Sequence, residues 1–109
     1  MPAFLDHDGT VLHVAWRPGH GTPVVLANSL GTDFRIWDAV VACLPESVPV
    51  LRMDKRGHGL SGTGAATIPD LAGDVIHAME HFGTGPAVLC GMSVGGLIVQ
   101  SAAAARPDL

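Results

Sequence analysis

The stretch VLCGMSVGGLIVQ, Val88 to Gln100, decides how this chain is read. An apolar run of strand type stops at Gly91. Ser93 follows two residues later, then Gly95 and Gly96, then an apolar segment of helical type. The pattern G-x-S-x-G, here Gly91-Met92-Ser93-Val94-Gly95, is a weak signal alone. It gains weight from lying between a predicted strand and a predicted helix. A serine on so sharp a bend projects its oxygen clear of the sheet. Side chains two positions before and after it would collide with the packed strand and helix, and Gly91 and Gly95 remove them. The bend also sets Ser93 at a helix N-terminus, where free N–H groups and the helix dipole favour negative charge. A Gly-Ser turn without chemistry is the plain alternative.

Upstream, the pattern alternates between strands and helices. Phe4 to Trp16 reads as a hairpin turning at Asp8-Gly9. Arg17 to Pro23 is a loop, and Val24 to Leu30 begins as a buried strand. Phe34 to Leu44 carries Ile36, Trp37, Val40, Val41 and Leu44 at helical spacing behind a candidate cap, Asp33. Val48 to Asp54 is the next strand, and Lys55 to Gly64 a glycine-rich loop. Thr67 to Gly83 reads as a helix capped by Thr67, with Leu71, Val75, Ile76, Met79 and Phe82 on one face and a stop at Gly83. Pro86 to Met92 and Val94 to Ala105 supply a last strand and helix. Strands alternating with helices of this length predict an α/β fold, a mostly parallel sheet with helices on both faces.

The chain has 109 residues, 48% of them hydrophobic and 15% charged, enough for one domain with a real core. A net charge of −4 argues against a nucleic-acid partner. The densest basic cluster, RMDKR at Arg52 to Arg56, reads as a solvated loop after a strand. Cys43 and Cys90 show no metal or redox spacing and read as reduced, mostly buried small apolar residues. No basic start precedes an apolar core, and no apolar run reaches membrane-spanning length. These features predict a soluble, cytoplasmic protein with no membrane partner.

If Ser93 is a nucleophile, the oxyanion formed on attack needs N–H donors. Val94, the next residue, offers one. The loop NSLGTD, Asn28 to Asp33, offers a second through Leu30, with Gly31 letting the backbone approach. An ordinary strand-to-helix turn is the alternative for that loop.

Three stretches now carry a resemblance: ANSLGTDFRIWD at Ala27 to Asp38, RMDKRGHGLS at Arg52 to Ser61, and CGMSVGGLIVQ at Cys90 to Gln100. The chain resembles the N-terminal part of an α/β-hydrolase, and more narrowly the 3-oxoadipate enol-lactonases with their esterase and perhydrolase relatives. The resemblance implies that Ser93 is the nucleophile and that Leu30 and Val94 hold the oxyanion. It implies a small lactone or ester as substrate, 3-oxoadipate enol-lactone of bacterial aromatic catabolism (the β-ketoadipate pathway) first among them, and no metal or organic cofactor. Arg35 is a candidate for the substrate carboxylate and Trp37 for the pocket wall. A surface arginine and a core tryptophan are the plainer readings. Another esterase or a cofactor-free perhydrolase is the near alternative; a non-catalytic binding module is the distant one.

A serine also needs a histidine, and the histidine a carboxylate. All six histidines precede Ser93, whereas the family's chain order is serine, acid, histidine. His7 and His13 fall in the hairpin, His20 at the far end of the sheet, and His77 and His81 on a helix edge. Only His58 follows a strand's C-terminal end, where ligands gather in such sheets. The resemblance implies that the acid, the histidine and the lid lie outside these 109 residues, on another segment or a second polypeptide that completes the fold. In the family's strand order 1-2-4-3-5-6-7-8 the strand at Pro86 to Gly91 is central, and without that further protein it is an uncovered edge.

Overall fold

The computed structural model describes residues 2–64 and 66–109. Strands β1 (Pro2–His7) and β2 (Thr10–Arg17) form the hairpin. Asp8 and Gly9 both take positive φ, 50° and 78°, which matches the twist of the two strands. Strands β3 (Val24–Ala27), β4 (Val50–Met53) and β5 (Val88–Gly91) complete a five-stranded sheet of order β1-β2-β4-β3-β5. β2 runs antiparallel to β4, while β4, β3 and β5 are parallel. This is the expected order over its first five strands.

The period of two in these strands assigns their faces. Leu12, Val14, Val25, Leu51 and Met53 turn to one side. There they meet helix α2 (Ile68–Phe82), through Ala72, Val75, Ala78 and Met79, and helix α3 (Val94–Ala105), through Ile98 and Ala102. Val24, Leu26 and Val50 turn to the other side and pack with Trp37, Val41 and Leu44. Helices therefore lie on both faces.

α2 has the expected ends. Thr67 and Asp70 form a reciprocal capping box, and Gly83 ends the helix in the left-handed conformation, φ 62°. The segment after β3 departs from expectation. Asp33 caps it as predicted, but Phe34–Trp37 is a 3-10 turn followed by a six-residue helix α1 (Asp38–Cys43). Only one side of it meets the sheet, and Ile36 and Val40 stay exposed. Both cysteines are exposed, contrary to the buried reading. Cys43 ends α1. Cys90, on the edge strand β5, pairs in register with Leu26 of β3, and Val88 on the same face is 56% exposed. Among the described residues no helix is long and apolar enough to cross a membrane.

Two glycines hold the fold for opposite reasons. A Cβ on Gly95 would run into the carbonyls of Ala27 and Asn28, backbone that cannot yield. A Cβ on Gly83 would meet nothing within 4 Å, but Gly83 sits at positive φ. Gly95→Ala should therefore cost about 3 kcal/mol through overpacking and Gly83→Ala about 1 kcal/mol through backbone strain. Urea unfolding of both variants checks the order; equal losses would contradict it.

Candidate active site

Ser93 sits where β5 gives way to α3, at φ 55° and ψ −120°. It and Asp8 are the only non-glycine residues at positive φ among those described. Such a conformation costs on the order of 1–3 kcal/mol and persists only where its surroundings enforce it. Here the enforcement is visible. A Cβ on Gly91 would strike Gly95 and Gly96, so strand and helix close on each other only because both ends of the motif lack side chains. The Met92 N–H donates to the Ala27 carbonyl at 3.1 Å, and the Gly96 N–H to the Ser93 carbonyl at 2.9 Å. The Ser93 side chain makes no capping hydrogen bond to α3, and the residue is exposed. Its hydroxyl is thus not consumed by the helix it precedes.

The loop Asn28–Asp33 leaves the sheet beside this elbow, since Ala27 pairs in register with Gly91. Asn28 is fully buried. Its Nδ2 donates to the Met53 carbonyl at 2.9 Å, and its Oδ1 accepts from the Trp37 indole at 2.7 Å. The Ser29 carbonyl accepts from Lys55 Nζ and from Thr32 Oγ1, both at 2.7 Å. The Gly31 N–H donates to His58 Nε2 at 2.9 Å, and His58 Nδ1 faces the Arg56 carbonyl at 3.0 Å. These two contacts together require a neutral imidazole with its proton on Nδ1. The Leu30 and Val94 N–H groups donate no hydrogen bond among the described residues, and the Leu30 side chain is 73% exposed.

The segment after β4 supplies the frame. Asp54 is buried and accepts from the Phe34 N–H at 2.8 Å, the Leu60 N–H at 3.0 Å and His13 Nδ1 at 2.8 Å. Its carbonyl accepts from Ser61 Oγ at 2.7 Å. Arg56 forks onto the buried Asp74 of α2 at 2.7 and 2.8 Å, and His7 Nδ1 donates to the same carboxylate at 2.7 Å. The basic cluster is therefore not the solvated loop that its charge suggested. Lys55 is 6% exposed, and each of its three cations has an acceptor: Asp38 for Arg52, Ser29 for Lys55, Asp74 for Arg56. Charge counting missed this because it does not see acceptors that come together only in the fold.

The remaining candidates fall as follows. Arg35 is exposed and forks onto Asp33 through Nε at 2.9 Å and a terminal nitrogen at 2.8 Å. It borders a cleft of about 410 Å³ shared with His13, Asp33, Phe34, Asp54 and Leu60; Ser93, Leu30 and Val94 do not line that cleft. Trp37 is 4% exposed, and its packing with Leu26 and Val50 puts it in the core. The structure brings Trp37 to the loop through its hydrogen bond to Asn28, not to an open pocket wall. No histidine reaches Ser93 by a hydrogen bond among the described residues. His20 lies at the opposite end of the sheet, its N–H on the Ser47 carbonyl, and His77 stacks on His7 at 4.4 Å.

A strand–serine–helix elbow at the C-terminal ends of parallel strands, in this strand order, defines a class of architecture. Residues 22–109 match the α/β-hydrolase fold family, and the chain belongs to it. It is 37% identical over 87 residues to 3-oxoadipate enol-lactonase 2 of Acinetobacter baylyi, covering 78% of this chain and 33% of that protein. The solved enol-lactonase of Burkholderia xenovorans superposes with a TM-score of 0.87 at 39% identity, over 97% of this chain and 43% of the other. An N-acyl homoserine lactone degrading enzyme superposes with a TM-score of 0.91 at 26% identity, over 97% of this chain and 41% of that one. The chain thus spans about a third of the length of the curated relative it matches.

Asp33 carries a titration that tests the loop. Hydrogen bonds from the Arg35 side chain, then from its N–H, hold the carboxyl down to about 2, against an ordinary 3.8. A depressed carboxylate stabilises the fold above its unfolded value, and that contribution is lost as pH falls through about 2. Carbonyl ¹³C NMR should place the Asp33 midpoint near 2, and Arg35→Gln should raise it only part of the way back, because the N–H bond remains.

Proposed function

We propose that this chain carries the nucleophile half of a serine hydrolase acting on a small lactone or ester, with 3-oxoadipate enol-lactone as the first substrate to try. One observation carries the reading: Ser93 is held in a strained elbow by Gly91 and Gly95, with its hydroxyl uncommitted at the N-terminus of α3. The matches to enol-lactonases and to a lactone-degrading enzyme support lactones as the class.

In the proposed reaction Ser93 Oγ attacks the lactone carbonyl and gives its proton to a histidine base. The oxyanion rests on the Leu30 and Val94 N–H groups, and the helix dipole of α3 adds to their effect. Collapse breaks the ring C–O bond. The leaving oxygen departs as an enolate, a better leaving group than an alkoxide, and the proton held by the histidine passes to the enolate carbon, giving the ketone and a neutral imidazole. The same histidine then activates a water, which attacks the acyl-enzyme carbonyl and releases the acid and free Ser93. The reaction needs no metal or organic cofactor.

The histidine and its carboxylate come, in this proposal, from protein outside these 109 residues, either another segment or a second polypeptide. That protein docks along β5, where Val88 and Cys90 are exposed on the outermost strand. Arg35 already holds Asp33, so a substrate carboxylate would have to share its guanidinium.

A fluorophosphonate probe should label Ser93 in the complete protein and leave Ser93→Ala unlabelled. Lactone turnover in that variant should fall by about 10⁴-fold or more. A complete protein that resists the probe but binds lactones would be a binding module, and the catalytic reading would fail.

A further inference from the structure

We propose that Lys55 is a positioning residue that aims the Leu30 N–H, acting through the carbonyl of Ser29. The inference rests on the reading of Leu30 as an oxyanion donor and adds a residue that performs no chemistry itself. A trans peptide is planar, with its C=O and N–H pointing in opposite directions. The Ser29 carbonyl and the Leu30 N–H belong to one such plane. Whatever grips the oxygen therefore sets the direction of the hydrogen.

Two donors grip it. Lys55 Nζ reaches the Ser29 oxygen at 2.7 Å from the β4 side, and Thr32 Oγ1 reaches it at 2.7 Å from within the loop. The flanking groups are held as well. Asn28 is pinned by Met53 and Trp37, and the Gly31 N–H by His58. Among the amides of Asn28 to Asp33, the plane carrying the Leu30 N–H is fixed from its oxygen end, and its hydrogen end is left open to a ligand. A cationic donor on the carbonyl also polarises the peptide, which makes the N–H opposite it a stronger donor.

Holding the Lys55 ammonium in this place carries a desolvation cost. Lys55 is 6% exposed, and burial pushes its ammonium below the ordinary lysine value, with only the Asp54 charge opposing that effect. An apolar side chain of similar length in place of Lys55 takes the nearby cation from buried Asp54, which costs stability where replacing a whole ion pair need not. Aiming a main-chain donor is a role that such a replacement cannot fill.

The test uses Lys55→Met and Thr32→Val in the full-length protein, with lactone hydrolysis and ¹⁵N relaxation of Leu30 as the readouts. Lys55→Met should lower kcat by about 10- to 100-fold, short of the loss expected on removing an oxyanion donor outright. KM should stay within about twofold, since a donor used in the transition state does not hold the ground state. The Leu30 order parameter should fall as its peptide gains freedom, measured well below the unfolding midpoint of the variant. Thr32→Val should show the same split at smaller size. A Lys55→Met enzyme with unchanged kcat, or one whose loss lies wholly in KM, overturns the proposal. If the wild-type protein hydrolyses nothing, the reading of Ser93 fails separately. The relaxation measurement then decides for Lys55 alone: unchanged Leu30 motion in Lys55→Met overturns its orienting role, and increased motion upholds it.

Discussion

The close approach of α3 to the ends of β3 and β5 is the constraint on which the rest depends. Gly95 lies against the carbonyls of Ala27 and Asn28, and Gly91 against Gly95. At that separation the chain between them has no room for a relaxed turn, and Ser93 takes a backbone conformation that it would avoid alone. The same contact settles what stands next to the serine. Because Gly95 touches Asn28, the loop that starts there is brought beside the elbow by packing, before any side chain of either segment is considered.

A second layer of order comes from the segment Asp54–Ser61, which ties several elements together. Asp54 gathers N–H groups from Phe34 and Leu60 and the ring of His13 into one buried carboxylate. Gly59, at φ 50°, passes so near that carboxylate that a Cβ would overlap it. Arg56 fastens the segment to α2 through Asp74, and Lys55 and His58 fasten it to the loop after β3. Charged hydrogen bonds to buried carboxylates are among the stronger ones available, and unpaired they would be expensive. The arrangement ties this segment to the loop after β3, to α2 and to β2.

Much of this was legible in the sequence because the signals are local. The hairpin turn at Asp8-Gly9, the cap at Thr67, the stop at Gly83 and the glycines around Ser93 each follow from backbone chemistry within a few residues. The strand order was legible only through the family resemblance, since the alternating pattern is compatible with several windings of the sheet. What the sequence hid was long-range. Nothing near Lys55 announces that the Ser29 carbonyl will face it, and nothing near Arg56 announces Asp74. Cys90 read as buried because a free cysteine is commonly a small apolar residue of the interior, but β5 is an edge strand and Cys90 is exposed on it. The helical spacing from Ile36 to Leu44 misled in the same way: the periodicity is real, but the tie between Trp37 and Asn28 accompanies a 3-10 turn at its start.

In the loop beside Ser93, Leu30 is 73% exposed, while the main chain on either side of it is held. Position 30 can therefore trade one side chain for another without disturbing the polar scaffold beneath it. Over generations, the surface beside the elbow is free to drift in shape and greasiness while its backbone stays put, which separates variation of that surface from the upkeep of the fold.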